Sequence, residues 1–71
     1  MKKLILNYKG RDDWERPVYE CAGRLYVDVN PRKDYNPKIC TKYNNEYYGE
    51  PDVPIARDIQ VEFVPCRDIW N

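Results

Sequence analysis

The stretch that decides the fold is Pro17-Val18-Tyr19-Glu20-Cys21-Ala22-Gly23-Arg24-Leu25-Tyr26-Val27-Asp28-Val29. Two runs rich in β-branched and aromatic residues flank a small-residue break, the signature of a β-hairpin. Two loops compete for its register. A two-residue Ala22-Gly23 loop needs Ala22 at positive φ, which is unfavourable for a residue with a Cβ, and sets Glu20 opposite Leu25. A three-residue loop, Cys21-Ala22-Gly23, leaves the left-handed position to Gly23. It faces Glu20 with Arg24 and Arg16 with Asp28, two opposite-charge pairs. Tyr19, Leu25, Val27 and Val29 then share the other face. The local sequence therefore predicts the three-residue register.

Similar short segments recur along the chain. Lys3–Tyr8, Leu25–Val29, Lys38–Tyr43 and Asp58–Val64 read as strands beside Pro17–Cys21, and none is periodic enough for a helix. Ile59, Val61 and Phe63 alternate with Gln60 and Glu62. Ile39, Thr41 and Tyr43 alternate with Lys42. Asn44-Asn45 tolerates positive φ, so Tyr43–Tyr48 reads as a second hairpin. Asp12 or Asp13 can cap one short helical turn. Asn30–Pro37 and Gly49–Pro54 are proline-bracketed loops. The expectation is a single β-dominated domain over residues 1–71: a five-stranded antiparallel meander, curled or closed into an SH3- or OB-like barrel, with at most one helical turn.

Leu, Ile, Val and Phe are only 15 of 71 residues. Aliphatic burial alone is too little to hold such a chain, so several Tyr and Trp must be core residues or a subunit interface must add burial. Both are expected, and the chain is read as a homo-oligomer. Trp70, close to the C-terminus, must rest on its own core or on a neighbouring subunit.

Absences narrow the chemistry. The chain has no His and no Ser, which removes an imidazole base, a His metal ligand and a serine nucleophile. Cys21, Cys40 and Cys66 are too widely spaced for a zinc motif, and an odd count without an export signal points to reduced thiols in a cytosol. The apolar run Leu4-Ile5-Leu6 is too short for a signal peptide or a membrane span. The chain is read as cytoplasmic and non-enzymatic, with no metal and no cofactor.

The formal net charge is zero, which argues against general DNA binding. The charge is nonetheless uneven. Residues 24–43 hold Arg24, Arg32, Lys33, Lys38 and Lys42 against Asp28 and Asp34, while residues 44–71 are mainly acidic. A basic, Tyr-rich middle third suits an anion or a nucleotide. Arg24 and Tyr26 alternate on one strand and share a face. Lys42 points away from Ile39, Thr41 and Tyr43. The candidate ligand residues are therefore Arg24, Lys38 and Lys42 for charge, with Tyr26, Tyr43 and Tyr47 for stacking.

Two stretches, Tyr8-Lys9-Gly10-Arg11-Asp12-Asp13-Trp14-Glu15-Arg16-Pro17-Val18-Tyr19 and Gly49-Glu50-Pro51-Asp52-Val53-Pro54-Ile55, resemble short uncharacterised proteins of gut bacteria, their phages and mobile elements. The resemblance spans about the first 55 residues and brings no catalytic motif. It implies a phage or mobile-element accessory protein in the cytosol of the host bacterium, one that interferes with host defence. The leading expectation is a binding protein that sequesters or blocks a host target, either an anionic nucleotide signal of antiviral defence or a defence protein. The alternative is a plain protein-interaction or assembly module without a ligand site. In the first stretch Trp14 is expected to cover the edge of the core.

Overall fold

The computed structural model describes residues 3–56 and 58–70. The protein is β-dominated, as its segments predict. Six strands form one mixed sheet: β1 (Lys3–Arg11), β2 (Pro17–Cys21), β3 (Arg24–Asp28), β4 (Ile39–Lys42), β5 (Pro51–Pro54) and β6 (Gln60–Val64), ordered β5-β4-β3-β2-β1-β6. The sheet is not closed into a barrel.

Three features depart from the meander the sequence suggests. The first is a sixth strand, β5, in the segment read as a loop. Its two prolines argue against a strand but are tolerated at a sheet edge, where β5 lies. The second is that β6 pairs parallel with β1, Leu4 beside Val61 and Leu6 beside Phe63. The third is that no helix forms at Asp12 or Asp13. The Asp12 carboxylate instead caps an irregular turn by accepting the Trp14 and Arg16 N–H groups. A single 3-10 turn lies at Tyr43–Asn45, with Asn44 and Asn45 at positive φ. It joins β4 to β5, so the expected hairpin closes on β5 rather than within Tyr43–Tyr48.

The first hairpin takes the two-residue loop. Ala22 sits at φ 51° and Gly23 at φ 82°, and the pairs are Cys21 with Arg24, Glu20 with Leu25, Tyr19 with Tyr26 and Val18 with Val27. The expected register is therefore off by one residue, and in a sheet that slip exchanges the two faces. Magnitudes explain the outcome. Left-handed Ala22 costs about 1–2 kcal/mol, and the two surface ion pairs forgone are worth a few tenths each. The observed register buries Val18, Tyr19, Tyr26 and Val27, worth about 1.5–3 kcal/mol per large apolar side chain. The tip is also clamped: the Glu20 carboxylate accepts the Gly23 N–H, and the Asn45 side chain bonds both Gly23 and Leu25.

The faces follow from this register. Leu6, Tyr19, Tyr26 and Ile39 form the core on one face, with Leu4, Tyr8, Ile55, Val61 and Phe63 packed around them. Tyr19 stacks tilted against Tyr8 and Phe63, at centroid distances of 5.7 and 4.9 Å. Tyrosines thus enter the core as composition requires. Val18, Val27 and Cys40 are buried on the opposite face. Tyr47 reaches the end of β1 and donates to the Arg11 carbonyl. Its hydroxyl lies 2.7 Å from where a Cβ on Gly10 would sit, and Gly10 has φ 139°, so only glycine fits there. Trp14, expected to cover the core edge, is 67% exposed instead.

The C-terminal segment stitches the sheet's loops together. Asp68 accepts both ends of the Arg11 guanidinium and the Tyr8 hydroxyl, and donates its N–H to the Tyr19 hydroxyl. Trp70 donates its backbone N–H to Pro31 and its indole N–H to Glu15. It therefore rests on its own chain.

Candidate functional site

The six residues singled out by the sequence do not form one surface. Arg24 and Tyr43 are exposed at one end of the sheet, where Asn45 joins the hairpin tip to the 3-10 turn. Lys38 is exposed at the other end, because β3 and β4 run antiparallel. Tyr26 shares a face with Arg24, as alternation requires, but that face is the core and Tyr26 is buried in it. Tyr47 is half-buried and bonded to the Arg11 carbonyl at the end of β1.

Lys42 departs furthest from expectation. It does point away from Ile39, but onto the opposite face rather than into solvent, and its side chain is fully buried. Its ammonium lies 2.8 Å from Asp12 Oδ2 and donates to the Gly49 carbonyl. Arg16 reaches the same Asp12 oxygen at 3.2 Å. Burial alone would raise the Asp12 carboxyl, but the bonds from Lys42 and from the Arg16 and Trp14 N–H groups hold it below its ordinary value. This cluster ties the β1–β2 turn to the β4–β5 turn, and its charges are fully engaged.

The loop between β3 and β4 is built the other way round. Asp28 is fully buried and accepts the Asn30 and Lys38 N–H groups, which pins both ends of the loop. Arg67 enters beneath it. Its guanidinium bonds Asp28 and the carbonyls of Asn30, Arg32 and Tyr35. A tight turn from Arg32 to Tyr35 completes the loop, with the Tyr35 N–H donating to the Arg32 carbonyl. Three loop carbonyls are thus turned inward onto one cation, while the side chains of Arg32, Lys33, Asp34 and Tyr35 are exposed. Among the described residues, Arg32, Lys33 and Lys38 have no acidic partner within 4.0 Å.

Arg32, Lys33 and Asp34 line an open groove of about 640 Å³ together with the half-buried Trp70. The indole N–H donates to the Glu15 carbonyl and the Trp70 backbone N–H to that of Pro31, which fixes the residue. A neighbouring cleft of about 650 Å³, lined by Ile39, Ile55, Ile59 and Val61, has Lys38 in its wall. The first groove combines two cations, one carboxylate acceptor and a flat aromatic wall. That chemistry suits an anion carrying a planar ring with hydrogen-bond donors.

Arg32 and Lys33 were legible as part of the basic middle third. Asp34 and Trp70 were not, because Trp70 lies more than thirty residues away and only the Arg32–Trp70 bridge brings it alongside. A pair of adjacent bases inside a proline-bracketed loop was the available signal. The cysteines carry no disulfide, and Cys40 is buried with its thiol pushed up by desolvation. Among the described residues, no three acidic or Cys side chains converge to hold a metal ion, and no helix is long and apolar enough to cross a membrane. Comparison with protein-family models, with curated proteins and with solved structures gives no match.

Proposed function

We propose that the protein is a non-enzymatic binding protein whose β3–β4 loop captures a small anion of the nucleotide class. One observation carries the reading. The loop is held rigid by Arg67 and Asp28 while Arg32 and Lys33, on the groove beside Trp70, have no acidic partner among the described residues. Preorganised cations lose little entropy on meeting a phosphate, and an arginine can grip one bidentately. The Trp70 indole supports the ring, and Asp34 takes donors from the base or sugar.

The resemblance to phage and mobile-element proteins supplies the setting. There the protein sequesters an anionic nucleotide signal of antiviral defence in the cytoplasm of the host bacterium. A second reading, the blocking of a defence protein, draws on the exposed Trp14 and Tyr48, residue types that anchor protein interfaces.

Thermal shift and calorimetric titration with a panel of mono-, di- and cyclic nucleotides, with inorganic phosphate as control, test the proposal. At least one nucleotide should raise Tm, bind more weakly as salt increases and be lost in Arg32→Glu and Lys33→Glu. A panel without any stabilising nucleotide, or undiminished affinity in both variants, overturns it.

A further inference from the structure

The two edges of the sheet are unlike. β5 carries Pro51 and Pro54, which have no N–H to offer, so that edge is blunted. β6, Gln60-Val61-Glu62-Phe63-Val64, has no proline within it and pairs only with β1. Among the described residues, no backbone hydrogen bond from residues 60–64 reaches any element other than β1. Its outer N–H and C=O groups form an open pairing edge. Val61 and Phe63 are only half-buried, and Val64 is exposed.

We infer that β6 is a self-pairing edge, on which a second copy of this chain adds its own β6 antiparallel across a two-fold axis at Val61. A two-fold normal to the sheet must pass beside a single residue, which then faces its own copy. Centring on Gln60 sets Glu62 against Asp58 of the second copy, and centring on Glu62 sets two carboxylates face to face. Both are repulsive. Centring on Phe63 brings the proline at 65 into the pairing, where it lacks an N–H.

Centring on Val61 avoids all three faults. Val61 meets Val61, extending the row that already holds Leu4. Ile59 of one copy meets Phe63 of the other, beside Leu6. Gln60 meets Glu62, so the amide donates to a carboxylate that Lys3 already neutralises from within its own chain. The six-stranded sheet becomes a continuous twelve-stranded one, and half-buried apolar side chains at the edge are covered. The pairing uses none of the residues that line the groove at Arg32; Ile59 and Val61 line the separate cleft that also holds Ile39 and Ile55.

Sedimentation velocity over a concentration series tests the pairing. Gln60 is exposed and lies beside Lys3 in its own chain, so Gln60→Glu adds an attraction within the monomer and two symmetric repulsions across the dimer. Gln60→Lys does the reverse. Wild-type protein should dimerise, Gln60→Glu should weaken the dimer by about tenfold or more, and Gln60→Lys should hold it at least as tightly as wild type. A wild-type monomer at every concentration overturns the inference. So does a dimer whose constant is the same in wild type and both variants, since it must then use another surface.

Discussion

Lys38 and Lys42 stand four residues apart and meet opposite fates. Lys42 is 2% exposed and bonded to Asp12 and Gly49, whereas Lys38 is exposed and, like Arg32 and Lys33, has no acidic partner among the described residues. The Lys42 cluster is structural. It bridges two turns across a sheet face, and desolvation makes each of its charges depend on the other. The loop cations lie over a scaffold in which Arg67 takes up Asp28 and three loop carbonyls, and among the described residues they are left without an internal counter-charge. Equal contributions to net charge therefore say nothing of availability. What separates them is whether a carboxylate from a distant turn is buried beside the cation.

The contrast can be broken most severely from the inside. Lys42→Met leaves Asp12 buried against Arg16 alone and should cost about 3–5 kcal/mol in urea denaturation, as should Asp12→Ala. The double variant Asp12→Leu/Lys42→Met should recover much of that loss, because neither charge remains stranded. If the single variants cost no more than a surface substitution, the inner cluster is not structural.

Acid should expose the same difference more gently. The Asp12 carboxyl lies below its ordinary value, and so does that of Asp68, chiefly through the Arg11 guanidinium bonded to it. A carboxyl depressed in the folded state binds its proton first in the unfolded chain. Its stabilisation is therefore complete above the unfolded value near 4 and is lost as pH falls through the lower folded value. Denaturation midpoints should decline below about pH 4, and the decline should be smaller in Asp12→Asn. Burial pushes the Tyr19 hydroxyl up to about 12. Its contribution should hold until the unfolded tyrosine ionises near 10 and fade as pH rises toward the folded value. A midpoint that is flat on the acid side removes the linkage.

The smallest effect is expected outside. Arg32→Ala and Lys33→Ala should each shift stability by less than about 0.5 kcal/mol, and should leave the acid profile of the wild type unchanged. A large destabilisation by either would place these residues within the scaffold, and the contrast with Lys42 would fail.

Much of the fold was open to local reading. Pro17–Cys21 forms a strand with the expected bounds, and Asn44 and Asn45 take the positive φ their side chains permit. Asp12 caps a turn, and tyrosines complete a core that aliphatics alone could not fill. These properties follow from composition, period-two alternation and turn chemistry, each decided within a few neighbouring residues. β5 escaped because its prolines weigh against a strand until its position at an edge is known.

The sequence by itself thus determined a β-dominated chain, the places of most strands and turns, and a chemistry without imidazole or serine. Tertiary structure alone decided the hairpin register, the parallel docking of β6 on β1, the burial of Lys42 and the meeting of Trp70 with Arg32. The physical reason is one of scale. Locally, the two hairpin registers differ by a left-handed alanine and two weak ion pairs, while each side chain buried by distant segments contributes more than either pair. A one-residue slip turns every side chain to the other face, so contacts from Leu6, Ile39 and Phe63, all outside the hairpin, select the register that its own thirteen residues leave nearly balanced.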